Sequence, residues 1–215
     1  MKLKKLILVS SLFLGLIPLC SGQKIVGSSH DFTNKLNYNT TGELCIVCHA
    51  PHGTDGTGVP LWNHHTTTNV FTTYTGYKFL ALPSITQPDG ASKLCLSCHD
   101  GASAINQFGG QSGTTMQGNT GGPVYLTSND NLTTNLSVTH PISFVYNTAL
   151  ANLDGTLKDP SVATTSLGGT IATDLLDING KVQCPSCHEV HDPTYYRFLK
   201  MSNAGSALCL TCHNK

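Results

Sequence analysis

Apolar residues cluster in one long run near the start of this 215-residue chain and are interrupted by polar residues elsewhere. Residues 6–19 are all apolar or small, a lysine-rich segment (2–5) precedes them, and small residues (20–22) follow. This order is typical of a secretory signal peptide, which we predict at residues 1–22. Beyond it, no second apolar stretch is long enough to span a bilayer.

The remaining pattern predicts little regular structure. Residues 142–146 alternate apolar and polar side chains, as a short strand does. Glycines between residues 109 and 122 indicate turns rather than helix. We expect short helices near residues 91–100 and from residue 205 to the C-terminus, with coil between them.

Composition narrows the possible functions and raises a packing problem. Charged residues make up 11% of the chain and the formal net charge is zero, so no basic surface for nucleic acid is indicated. Aromatic residues are only 7%, while Gly, Thr, Ser and Asn are abundant. Such side chains bury too little apolar surface to offset the entropy lost on folding. Another component must fill the interior.

The motif Cys-x-x-Cys-His occurs four times, at residues 45–49, 95–99, 184–188 and 209–213. This spacing is the attachment signature of c-type haem, whose porphyrin bonds to both thiols while the following His binds the iron as proximal ligand. The predicted attachment cysteines are Cys45, Cys48, Cys95, Cys98, Cys184, Cys187, Cys209 and Cys212. The predicted proximal ligands are His49, His99, His188 and His213.

Zinc knuckles and local disulfides are alternative uses of paired cysteines. Neither requires a His directly after every second Cys, so haem is the favoured interpretation. The predicted fold is therefore a multihaem cytochrome c, mostly coil with few short helices and strands, whose core is formed by four covalently bound haems. By analogy with small metal-dependent domains, the apoprotein is expected not to fold.

The mature chain, 23–215, is expected to be one tetrahaem domain built from a duplicated two-haem unit. The two units cover about residues 23–101 and 135–215. Each contains an isolated His, then Cys-x-x-Cys-His-x-x-His, a Tyr-basic-Phe-Leu segment, and Ser-x-Leu-Cys-Leu-x-Cys-His. The Tyr-basic-Phe-Leu segments lie at residues 77–80 and 196–199.

Six further histidines can supply distal ligands, whereas only Met116 and Met201 would remain as methionines. Haem irons that transfer electrons take two axial ligands, so ligation by two His at each iron is expected. Four histidines occupy equivalent places in the two units, and we predict them as distal ligands: His30, His52, His140 and His191. His64 and His65 have no counterpart and leave this assignment open. His52 and His191 lie three residues after a proximal His, too close to bind the same iron, so each should reach a neighbouring haem.

The motifs, together with the segments at residues 29–32, 48–53, 61–63, 139–141 and 202–209, resemble tetrahaem cytochromes of the OmcE type. Members of that family polymerise outside the cell into filaments with one continuous chain of haems. The resemblance implies a coil-rich fold, four haems each bound by two His, and a His that completes a haem of the next subunit. It implies His30 for this last role, in a head-to-tail homopolymer.

We therefore expect an electron carrier and not an enzyme, with redox cytochromes as further partners. A filament outside the cell or at its surface is favoured, and a monomeric periplasmic shuttle is the alternative. A multihaem reductase would need an iron with an open position. Lipidation at Cys20 is an alternative to signal cleavage, although Leu19 is bulky where a small residue is preferred.

Overall fold

The computed structural model describes residues 24–35, 42–52, 61–74, 87–109 and 122–214. The predicted signal peptide and the segment at residues 77–80 lie outside this range. Within it, coil and turns predominate, which confirms the expected coil-rich fold.

The helices are α1 (Gly90–His99), α2 (Thr148–Asp154), α3 (Ile171–Asp174), α4 (Cys184–Cys187) and α5 (Ala207–Cys212), and short 3-10 turns span Tyr196–Phe198 and Ala204–Ser206. Strands β1 (Phe144–Val145) and β2 (Lys181–Val182) pair antiparallel.

Local sequence signals set the ends of α2 and α3. The side chain of Asn147 accepts a hydrogen bond from the amide of Leu150 at 2.9 Å, so it caps the start of α2. Gly155 ends the same helix with φ of 71°, a conformation that glycine adopts without steric cost. Thr170 and Thr173 form a reciprocal capping box at the start of α3.

The second half contains a side-chain core that the sequence analysis did not anticipate. Its buried members are Tyr146, Leu150, Ala151, Ile171, Leu175, Val182, Met201 and Leu208. A smaller cluster joins Phe71 and Leu96 of the first unit to Leu136 of the second. The expectation that haem alone forms the interior is thus corrected. The long spacer before the third motif folds into α2, α3 and β1, whose apolar faces pack together.

A polar cluster joins α1 to α4, and thus the second motif to the third. Ser92 is fully buried; its hydroxyl donates to Gln183 Oε1 at 2.5 Å and accepts from the amide of Cys184 at 2.9 Å. The Gln183 amide group donates to Asp89 at 3.0 Å, and Lys181 forms an ion pair with the same carboxylate. We call Asp89, Ser92, Lys181 and Gln183 the inter-unit clamp. It fixes the relative position of the two motifs.

In the part of the chain that the structure describes, no helix combines the length and apolar character needed to cross a membrane.

Candidate haem-attachment sites

Each motif forms a single helical turn that brings its two thiols together. The amide of the predicted proximal His donates to the carbonyl of the first Cys at 2.8 Å for His49, 3.1 Å for His188 and 3.0 Å for His213. His99 continues α1, which contains the whole second motif. None of the eight motif cysteines forms a disulfide. A local helical turn thus sets the spacing between the two cysteines and the following His.

A second segment runs antiparallel to three of the motifs in one common register. At the first motif, the amide of Asn63 donates to Cys48 O and the amide of Ala50 donates to Leu61 O, both at 2.9 Å. The same two bonds recur at the third motif with residues 198–200 and at the fourth with residues 156–158. The residue opposite the proximal His is Trp62, Leu199 or Leu157. These pairings hold the backbone on both sides of the His.

The recurring hydrogen bonds also relate two segments that the sequence repeat did not pair. They make residues 61–63 the structural counterpart of residues 198–200. Leu61 and Phe198 share a left-handed backbone, with φ of 54° and 59°, which is uncommon for residues other than glycine. The sequence repeat had paired residues 77–80 with 196–199, and the first of these segments lies outside the described residues.

Backbone carbonyls orient several imidazoles for metal binding. Nδ1 of His99 lies 2.8 Å from Asp130 O, Nδ1 of His188 lies 2.9 Å from Arg197 O, and Nδ1 of His140 lies 2.9 Å from Pro141 O. A carbonyl can only accept, so each Nδ1 carries the proton and donates. Nε2 then keeps its lone pair, which is the arrangement found in metal-ligating His. No sequence signal identifies these carbonyls, because any residue type provides one.

Three pairs of imidazole rings have their centres at a common distance. Two imidazoles that bind one metal from opposite sides, at about 2 Å each, have ring centres about 6 Å apart. Every pair joins a predicted proximal His to a predicted distal His. The pairs are His30–His99 at 6.1 Å, His140–His213 at 6.4 Å and His49–His191 at 6.2 Å. The gap in each pair therefore matches one iron atom.

Two of the three imidazole pairs occupy equivalent places in the internal repeat. His30–His99 and His140–His213 are equivalent, and their rings are both near perpendicular, at 78° and 74°. Each lies within one unit. His49–His191 instead joins the first unit to the second. Among the described residues, the ring of His188 has no imidazole opposite it, and the exposed His52 is not paired with any ring.

The two histidines that the sequence left unplaced differ from the paired ones. His64 is buried, and its two ring nitrogens lie 2.8 Å from His65 O and 3.2 Å from Ile105 O. Burial lowers the pKa of His64. Nε2 of His64 also lies 3.5 Å from Sγ of Cys98, so this imidazole packs against the second motif.

His30 is half-buried beside two aromatic rings of the same chain. Its ring stacks on Phe198 with centres 4.7 Å apart, and its centre lies 6.1 Å from that of His99. Burial, followed by the charge of His99, lowers the pKa of His30 to about 4. The imidazole is therefore neutral at physiological pH, as a metal ligand must be.

Two buried polar atoms fit the presence of a large prosthetic group. Nδ1 of His30 and Nε1 of Trp62 are buried without a hydrogen-bond partner. Buried polar groups almost always have one, and an orphan calls for an explanation such as a group outside the polypeptide. Iron can satisfy an imidazole nitrogen, and a porphyrin propionate can accept from an indole N–H. The residues present thus fit haem.

The thiols of consecutive motifs are neighbours. Burial raises the pKa of Cys48 to about 12. Burial and then the charge of Cys48 raise the pKa of Cys98. A hydrogen bond from Cys95 lowers the pKa of Cys184 to about 7. Burial and then the charge of Cys209 raise the pKa of Cys187. The packing of α1 against α4 places the second motif directly beside the third.

A carboxylate network fixes the loop after the second motif. Asp100 is 2% exposed and accepts from Thr67 Oγ1 and Asn69 Nδ2, both at 2.8 Å. It also accepts from the amide of Ser103 at 2.7 Å. Burial opposes ionisation, but these donors outweigh it and lower the pKa of Asp100. The network anchors the chain beside His99.

A comparison with protein families agrees with the interpretation of the Cys-x-x-Cys-His motifs as haem-attachment sites. The family model described as the doubled CXXCH motif matches residues 178–215, which contain the third and fourth motifs. This match indicates a multihaem c-type cytochrome with covalently bound haem and a role in electron transfer. A search of curated proteins finds no match to the chain.

Proposed function

We propose that the mature chain carries four haems, each bound by two imidazoles, and conducts electrons from haem to haem without converting a substrate. Haem iron closed by two protein ligands exchanges single electrons and has no position for a substrate. The main support is the set of three imidazole pairs spaced 6.1–6.4 Å apart. The chain's own part is to hold both imidazoles and exclude water between them.

We further propose that the fourth pair forms between two copies of the chain. His191 of the second unit faces His49 of the first. Repeating this relation once more brings His52 of a second copy to His188. These are the two predicted ligands without an imidazole opposite them among the described residues. We therefore assign the inter-subunit role, which the resemblance gave to His30, to His52.

Such a contact produces a filament. His52 of one subunit would contact His188 of the next. Each added subunit therefore presents a further His52 and a further His188 for assembly. Heterologous contacts that do not close into a ring grow without limit. We propose an exported filament outside the cell or at its surface, with redox cytochromes as electron donors and acceptors. A periplasmic monomer is the alternative.

The test replaces His52 by Ala, with His65→Ala as matched control. Purified holoprotein is imaged by negative-stain microscopy, and its low-spin haem spectrum is recorded. We expect filaments from the native chain and from His65→Ala, but only short oligomers or monomers from His52→Ala. Native protein that is monomeric at every concentration would support the shuttle. Native protein that reduces a nitrogen or sulfur oxyanion at an open haem would support the reductase.

A further inference from the structure

The two units meet inside one chain where α1 packs against α4, beside the first cysteines of the second and third motifs. Cys95 lies on α1, and Cys184 begins α4. Beside them, the buried hydroxyl of Ser92 accepts from the amide of Cys184 at 2.9 Å. This contact therefore joins the end of one unit to the beginning of the next.

The internal repeat gives each of these residues a counterpart. Ser92 and Cys95 correspond to Ser206 and Cys209, because both pairs lie in Ser-x-Leu-Cys-Leu-x-Cys-His. Cys184 corresponds to Cys45, because both begin Cys-x-x-Cys-His-x-x-His.

In the part of the chain that the structure describes, no hydrogen bond equivalent to that between Ser92 and Cys184 joins these counterparts. Cys45 and Cys209 are the only exposed members of the eight motif cysteines, and Ser206 is exposed as well. Each exposed counterpart thus corresponds to one side of the buried contact between Ser92 and Cys184. We call Ser206 and Cys209 the trailing face, and Leu44 and Cys45 the leading face.

We propose that the trailing face of one copy docks on the leading face of a second copy, repeating the contact between α1 and α4. The occupant of each face is thus another molecule of this chain. In this arrangement the hydroxyl of Ser206 accepts from the amide of Cys45 of the second copy. The proposal rests on the filament proposed above and adds the surface that forms it.

An independent observation points to the same pair of faces. Within the chain, the unit that contributes Cys184 also sends His191 back to His49. The second copy that contributes Cys45 would likewise send His52 back to His188. The contact between serine and cysteine and the pairing of imidazoles therefore require one and the same placement of the two copies. With haem bound to Cys209 and Cys45, the haem chain would continue across the joint.

The joint between copies should be weaker than the contact within the chain. Gln183, which bonds to both Ser92 and Asp89, is replaced by Leu44 at the leading face. Asp89 is replaced by Asn203. The ion pair and amide bonds of the inter-unit clamp are therefore missing, and the imidazole pair must supply much of the binding energy.

The experiment introduces a charge at each face. Ser206→Glu puts a carboxylate against the apolar Leu44, and we expect the protein concentration needed for assembly to rise by about tenfold or more. Ser161→Glu is the matched control, because Ser161 is also an exposed serine of the second half. Haem content and the low-spin spectrum of each variant show that the subunit itself is intact.

A double variant keeps the test independent of folding. Adding Leu44→Lys to Ser206→Glu supplies an opposite charge, and assembly should recover to near the native concentration. If Ser206→Glu assembles like Ser161→Glu, or if Leu44→Lys does not rescue it, this docking surface is wrong. His52→Ala would still report on the filament separately, so the two proposals can fail independently.

Discussion

At the scale of single residues, the hydrogen bonds of three predicted ligands differ from those of His64. Carbonyls hold Nδ1 of His99, His140 and His188 and leave Nε2 for a metal. His64 instead has both nitrogens directed at carbonyls. The sequence could nominate six candidates for distal ligands, but only the folded chain shows which rings lie opposite one another.

Replacing His140 by Ala should remove the imidazole opposite His213 and leave one iron without its sixth ligand. We expect about one quarter of the haem to change from low-spin to high-spin, since an axial His stabilises the low-spin state. Electron paramagnetic resonance measures this fraction directly. His64→Ala is the control and should keep a fully low-spin spectrum. An unchanged spectrum for His140→Ala would remove it from the set of ligands.

Asp100 is a second residue whose loss should have a measurable effect. Substitution by Ala leaves the buried donors of Thr67, Asn69 and Ser103 without their acceptor. We expect the free energy of unfolding to fall by about 3 kcal/mol, since hydrogen bonds to charged groups are strong and buried orphans are costly. Urea denaturation of the holoprotein provides the measurement. The exposed Asp130→Ala should change it little, and equal effects of the two variants would contradict this account.

At the scale of elements, the sequence predicted what local chemistry determines. Alternation located β1, and the predicted helices at residues 91–100 and after residue 205 correspond to α1 and α5. The segments opposite the proximal histidines were not predicted. Their register depends on backbone hydrogen bonds, and Trp62 and Leu199 occupy equivalent places without any likeness of side chain. The side-chain core was also missed, because six of its eight members come from a spacer with no clear helical period.

The inter-unit clamp should make the stability of the holoprotein depend on acid pH. Burial raises the pKa of Asp89, but the donors of Lys181 and Gln183 outweigh it and lower the pKa below its usual value. A carboxyl with a lowered pKa stabilises the fold above its unfolded pKa of about 4, and this contribution is lost as the pH falls through the folded pKa.

Denaturation midpoints between pH 6 and pH 3 test this dependence. The native protein should lose stability more steeply below about pH 4 than Asp89→Asn, which has no charge to lose. Asp154→Asn is the control, because Asp154 lies at the end of α2, away from the clamp. Identical pH profiles for the native protein and Asp89→Asn would show that the clamp contributes nothing.

At the scale of the whole molecule, the chain relies on haem for part of its interior. The apolar clusters are small, and coil makes up most of the described residues. Chain produced without haem attachment should therefore lack the fixed structure of the holoprotein, as metal-dependent domains do. Circular dichroism and hydrogen exchange compare the two forms. Apoprotein with native spectra and protection would show that side chains alone specify the fold.

At this scale the central claim concerns the assembled molecule. Every iron is expected to be bound by two imidazoles, and one of these pairs is expected to form only between copies. Carbon monoxide binds reduced haem that has an open position, so titration of the reduced protein counts such haems. Filaments should bind almost none, while subunits dispersed to monomers should bind about one per chain, at the haem held by His188. Equal binding in both states, or several binding sites per chain in the filament, would contradict the account.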